Sequence, residues 1–226
     1  MVRWVFFDVD QTLCDFATMM RRALESALDE LQRRLPASSA GGLTVDDLRA
    51  ARDEVAASAS ASTSMEQIRL QSFRAVVARC APGGDEGLAQ AVTQHHLRRR
   101  FADPVVYPDV RPALDALTPR HRLGVVSNGN SYPHTLGLGH FSEVFLAQHV
   151  GLRKPDPALY AHVAREVGAP PEQLVMVGDS VGHDVFAARE AGWQAVWLNR
   201  EGRDVPPHVT ATVSDLRDLE ALLGDG

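Results

Sequence analysis

The chain has 226 residues, a formal charge of −6, 45% hydrophobic and 23% charged residues. That balance is ordinary for a globular protein made of one large α/β domain, or one domain carrying an insert. The acidic excess excludes a nucleic-acid polymer held by bulk electrostatics, although a small anion needs only local positive charge. The two cysteines, Cys14 and Cys80, have no metal-like spacing and fit a reducing compartment. No run is apolar for long enough to span a membrane and no signal peptide precedes the first strand, so a cytoplasmic protein with no membrane partner is expected.

In chain order, Val2 to Phe7 is an apolar run ending at Asp8 and reads as a buried strand. From about Phe16 to Asp103 strand-like runs disappear. Met20, Leu24, Ala27, Leu28, Leu31 and Leu35 recur at helical spacing instead. Ser64 and Gln67 have the spacing of a capping box, and Phe73, Val76, Val77 and Cys80 continue that helix's apolar face. Pro36–Thr44 and Ala56–Ser64 read as loops. His95-His96 and Arg98-Arg99-Arg100 read as the solvated face of a basic helix. After Pro104 and Pro108, strand-like runs return at Leu123–Val126, Val144–Leu146, Leu174–Val177 and Ala195–Leu198. Helices are expected from Asp156-Pro157 as N-cap and first position, from about Asp184 to Ala191 before Gly192, and from near Ser214 through Leu216, Leu219 and Leu223. Alternating strands and helices predict an α/β, doubly wound parallel-sheet core of Rossmann-like type over residues 1–15 and 104–226, with an all-helical domain over 16–103 inserted in it.

Four patches stand at the carboxyl ends of expected strands, where open α/β sheets bind ligands. In Asp8-Val9-Asp10-Gln11-Thr12-Leu13, residues two apart on extended chain project to one side, so Asp8 and Asp10 can reach one site. Paired carboxylates repel and call for a cation or a shared proton. Ser127-Asn128-Gly129 offers a hydroxyl, an amide and backbone N–H groups to an anion. Lys154-Pro155 holds the only lysine of the chain, a compact ammonium where every other such position is arginine. Gly178-Asp179-Ser180 is followed by Asp184, and such hard oxygens suit Mg²⁺. Each patch alone is ordinary: a solvated turn, a surface lysine, an acid at a helix N-terminus.

Their ordered combination resembles the haloacid dehalogenase (HAD) superfamily, all four of whose motifs are present. The likeness covers Val2–Leu13 and Pro104–Leu198, and the helical insert matches in position and type the cap that many members carry. Gln11 and Asp109 stand where glycine is frequent. The resemblance implies a phosphatase-type hydrolase using Mg²⁺ on a small phosphorylated metabolite. Asp8 would be the nucleophile that forms an aspartyl-phosphate, and Asp10 the acid and then the base. Asp8, Asp10 (through its carbonyl), Asp179 and Asp184 would hold the metal, with Asp184 direct or through water. Ser127, the Asn128 amide and Lys154 would hold phosphate oxygens, with Lys154 neutralising charge. Thr12, grouped with the phosphate-binding residues, would position the turn. Specificity would lie in the cap, with Cys14-Asp15-Phe16 and Ala56–Met65 as candidate segments.

Several rivals share parts of this pattern. A 2-haloacid dehalogenase displaces halide, so it needs no acid for an alkoxide and no metal, and Asp10 and Asp179 would have no task there. Trp197-Leu198-Asn199-Arg200 is locally similar to dehalogenases and to nucleotidase-like members alike. A phosphonatase would need a cap lysine, and the insert has none. A phosphosugar mutase would use the same Asp8 and Asp10. A phosphoacceptor signalling module, from a different class, does not share the Asp8-x-Asp10 spacing or the long helical insert.

Overall fold

The computed structural model of the protein describes residues 1–59, 63–81 and 83–224. Two compact units result: Met1–Phe16 with Val105–Gly226, and Ala17–Pro104.

The first unit is built on a parallel six-stranded sheet. Its strands are β1 (Trp4–Phe7), β2 (Arg122–Ser127), β3 (Glu143–Leu146), β4 (Leu174–Gly178), β5 (Gln194–Leu198) and β6 (Thr212–Val213). Their order is β3-β2-β1-β4-β5-β6, the doubly wound arrangement in which the sheet is extended first on one side of β1 and then on the other. Five of these strands coincide with the expected apolar runs. The sixth has two residues, too few to show a period.

Register explains why the runs are continuously apolar. β1 pairs with β2 from Trp4↔Arg122 to Phe7↔Val125 and with β4 from Trp4↔Leu174 to Phe7↔Val177. Along β1, Trp4 and Phe6 join a cluster with Leu159, Tyr160, Val163, Val185 and Trp193. The intervening Val5 and Phe7 are equally buried, because a parallel sheet is covered on both faces. The helix Pro157–Glu166 opens as expected: Asp156 accepts a hydrogen bond from the Ala158 N–H, and Pro157 takes the first position. The helix expected over Asp184–Ala191 begins earlier, as a wide π-helical turn over Val181–Phe186, and becomes an α-helix over Ala187–Glu190. Asp184 is therefore inside the turn and buried, not at a solvated helix end.

The second unit contains helices Phe16–Arg34 (from its second residue on), Val45–Ser58, Met65–Cys80 and Glu86–Arg100, and a short turn of helix at Ala37–Ala40 inside the expected loop. The capping box at Ser64 and Gln67 is formed, and a second one joins Thr44 and Asp47. The helix before the expected Ala56–Ser64 loop runs on to Ser58; residues 60–62 of that loop lie outside the described residues. Leu24, Ala27 and Leu31 pack with Phe73, Val76, Val77 and Val92 as the helical spacing requires. The basic stretch of the last helix is not simply a solvated face. Arg98 and Arg99 are exposed, but His96 and Arg100 are sealed in, because residues four apart share one helix face and that face, with Val92, is turned to the core.

Candidate active site

Asp8 is the first residue past β1, and its N–H still bonds to the Val177 carbonyl at 2.9 Å. Ser127 ends β2, and Gly178 ends β4. Asp8, Ser127-Asn128-Gly129 and Asp179 thus meet where the sheet order reverses. Together with Asp10, Lys154, Ser180, His183 and Asp184 they line a cleft of about 240 Å³. A larger cleft of about 630 Å³ beside the carboxyl-terminal segment has Asp218 as its only ionisable lining residue among those described.

Lys154 is at the centre. It is 3% exposed, and its Nζ donates to Asp8 Oδ1 and to Asp184 Oδ1, each at 2.6 Å. Burial opposes its charge, but Asp184 and Asp8 outweigh that effect and hold the ammonium above the ordinary lysine range. Lys154 therefore stays a cation. Its backbone is fixed as firmly as its head: Asn128 Nδ2 donates to the Lys154 carbonyl at 2.8 Å, and the Lys154 N–H donates to Asn128 Oδ1 at 2.7 Å. The Lys154-Pro155 peptide bond is cis. The Asn128 side chain is thus committed to Lys154, and the amide it can offer an anion is its backbone N–H.

Asp184 reaches Lys154 because the wide turn curls its carboxylate back over β4. Its Oδ2 accepts the Ser180 N–H at 3.0 Å. A β-carbon on Gly178 would overlap the Asp184 carboxyl group, so glycine is required immediately before Asp179. Thr12, fully buried, accepts the Asp179 N–H at 3.2 Å and donates to Asp179 Oδ1 at 3.4 Å. It ties the Asp8–Asp10 turn to the end of β4. Gln11 adopts φ 65° in that turn, a left-handed conformation that explains why glycine suits the position.

Ligand oxygens of Asp8, Asp179 and Asp184 lie within 4.8 Å of one another. Burial, and then the charges of Asp8 and Asp184, push the Asp179 carboxyl up to about 6. Three carboxylates against one ammonium leave two negative charges. An all-oxygen set with that excess fits a hard divalent cation. The Asp10 side chain is not in this set; it turns to Ser131, whose hydroxyl donates to Asp10 Oδ1 at 2.6 Å.

Sequence reasoning missed the braces behind these loops. Trp197 Nε1 and Arg203 Nη2 both donate to the Asp179 carbonyl, at 3.0 and 3.1 Å. Arg200 donates to the Thr12 carbonyl at 3.0 Å and to buried Asp109 at 2.8 Å. Asp109 also accepts the Leu216 N–H at 2.8 Å, so this departure from glycine anchors the carboxyl-terminal segment. Only the run Trp197–Arg200 hinted at these contacts.

Residues 2–192 match the family of haloacid dehalogenase-like hydrolases. The chain belongs to that family. This HAD-like hydrolase is 27% identical over 223 residues to glyceraldehyde 3-phosphate phosphatase of Methanopyrus kandleri, covering 95% of this chain and 92% of that protein. It is 27% identical over 236 residues to N-acylneuraminate-9-phosphatase of Mus musculus, covering 98% and 94%. Among solved structures, it resembles 2-haloacid dehalogenase of Pseudomonas syringae pv. tomato DC3000 with a TM-score of 0.83 and 28% identity, over 100% of this chain and 99% of the other. Among the described residues, no helix of this HAD-like hydrolase is long and apolar enough to cross a membrane.

Proposed function

We propose that this HAD-like hydrolase is a Mg²⁺-dependent phosphohydrolase that cleaves a small phosphate monoester through an aspartyl-phosphate on Asp8. The observation that carries this reading is the charge balance of the cleft: Asp8, Asp179 and Asp184 around one ammonium, with Asp10 beside them on a separate hydrogen bond. Mg²⁺, held by Asp8, Asp179, Asp184 and the Asp10 carbonyl, would shield the nucleophile from the charge of the phosphate dianion. The helical unit Ala17–Pro104 would act as the cap that excludes water and sets specificity. A cytoplasmic setting and a small phosphorylated metabolite as partner, with no nucleic-acid polymer and no membrane, complete the reading.

The roles follow from each group's chemistry. An Asp8 oxygen attacks phosphorus, and the bond from phosphorus to the ester oxygen breaks. Asp10 gives its proton to the departing alkoxide, then takes one from the water that releases phosphate and regenerates Asp8. Lys154, locked as a cation, sets the Asp8 carboxylate and offsets charge on the transferring phosphoryl group. Ser127 and the backbone N–H of Asn128 hold its oxygens.

Likeness to the Pseudomonas syringae dehalogenase favours a second reading, halide displacement from a 2-haloacid by Asp8. It leaves Asp10 and Asp179 without a task. Phosphate release from a panel of phosphorylated metabolites, with Mg²⁺ and with EDTA, separates the two. Release is expected with Mg²⁺ alone, and Asp8→Asn lowers it by more than about a thousandfold without loss of fold, since the substitution removes one of several repelling carboxylates. Halide release that persists in EDTA, with no phosphate from any ester, would establish the dehalogenase instead.

A further inference from the structure

The Asp10 carboxylate is held by a built seat. Ser131 is fully buried, and its hydroxyl donates to Asp10 Oδ1 at 2.6 Å. On the other side, a β-carbon on residue 129 would overlap Asp10 Oδ2. One carboxylate oxygen is therefore bonded by residue 131, and the other occupies room that exists only because residue 129 is glycine. Both come from the loop after β2, Asn128-Gly129-Asn130-Ser131, which follows directly on Ser127 at the strand's end. That loop is itself fixed: the Gly129 N–H donates to Ser127 Oγ at 3.1 Å, and the Asn128 side chain bonds twice to the Lys154 backbone.

We propose that Ser131, with Gly129, is a positioning residue that selects the side-chain orientation from which Asp10 exchanges its proton. The proposal rests on the phosphohydrolase reading for what that proton does, and on geometry alone for the seat. A short hydroxyl-to-carboxylate bond belongs to the strong, charge-assisted class, and staggered side-chain orientations differ by less than such a bond. Ser131 holds the proton-exchanging carboxylate against the same segment that offers Ser127 and Asn128 to the phosphate, so acid and phosphate are placed relative to one another by five consecutive residues.

The test compares Ser131→Ala with wild type on two Mg²⁺-supported substrates, an alkyl phosphate and 4-nitrophenyl phosphate. An alkoxide needs a proton to leave, whereas nitrophenolate leaves without one, and kcat/KM reports steps up to transfer onto Asp8. The alkyl ester's kcat/KM is expected to fall about ten- to a hundredfold, and the aryl ester's by less than about threefold. Equal losses on both esters, or none, would overturn the proposal. Gly129→Ala, which keeps Ser131 and crowds Oδ2, should show the same ester-selective loss. Crystal structures of wild type and Ser131→Ala test the seat without turnover: Asp10 should swing away from the loop in the variant, and an unmoved Asp10 would overturn the proposal. Failure of wild type to release phosphate from these esters and from every member of the metabolite panel would refute the phosphohydrolase reading and leave the crystal structures to decide on the seat.

Discussion

In the sheet unit a lysine is sealed between two carboxylates, whereas in the helical unit a histidine is sealed beside arginines. Lys154 touches Asp8 and Asp184 at 2.6 Å, and its charge survives burial because those partners offset the loss of water. His96 meets the opposite conditions. Burial, then Arg69, with Arg100 and His95 adding to it, lower its pKa to about 3, and the ring stays neutral. Lys154 keeps its charge because opposite charge is in contact with it, whereas His96, beside Arg69 and Arg100, gives its charge up. This difference sets the Lys154 site, where opposite charges meet, apart from the His96 pocket, where the imidazole is neutral.

Removing the cation should break the comparison most visibly. Lys154→Met leaves Asp8 and Asp184 buried against each other and should cost roughly 3–5 kcal/mol of stability, read from denaturant unfolding in EDTA, as well as abolishing turnover. A stability within 1 kcal/mol of wild type, by the approximate scale of surface changes, would show that the pair is not the electrostatic keystone its geometry indicates.

Acid should single out the helical unit next. The unfolded chain's imidazole takes a proton near 6.5, and His96 in the folded protein resists it down to about 3. Above pH 6.5 both states are neutral and His96 has no effect. Below it only the unfolded state gains a proton, and stability falls by up to about 1.4 kcal/mol per pH unit. His96→Gln, neutral throughout, should therefore lose roughly 2 kcal/mol less than wild type between pH 7 and pH 5, measured by urea unfolding at both values. Identical losses in the two proteins would mean that His96 is charged inside the fold.

The smallest expected effect lies in the sheet unit and involves no charge. Gln11 holds φ 65°, where a side chain is strained, so Gln11→Gly should raise stability by roughly 0.5–1 kcal/mol in thermal or denaturant unfolding. A loss of stability would show that contacts of the Gln11 side chain outweigh the strain of its backbone.

Much of this protein was legible in the chain alone, because its signals are local. Five strands follow from short apolar runs, since a parallel sheet covered on both faces imposes continuous apolarity. The helices at Ser64 and Asp156 follow from capping residues that bond within three positions of themselves. The site residues at strand ends follow because strand termini in such sheets converge on one crevice, and the lone lysine among arginines marked Lys154. Only the tertiary structure decided what depends on residues far apart in sequence. It turned the Asn128 side chain to Lys154 and Thr12 to Asp179, carried Asp184 into the site through a wide helical turn, and buried His96 and Arg100 within a stretch that reads as solvated. It also brought Arg200 to Asp109 and Ser131 to Asp10. A hydrogen bond spanning 121 residues, as between Ser131 and Asp10, leaves no period or spacing in the sequence; it exists because the sheet order sets β1 beside β2, and the loops that leave them meet.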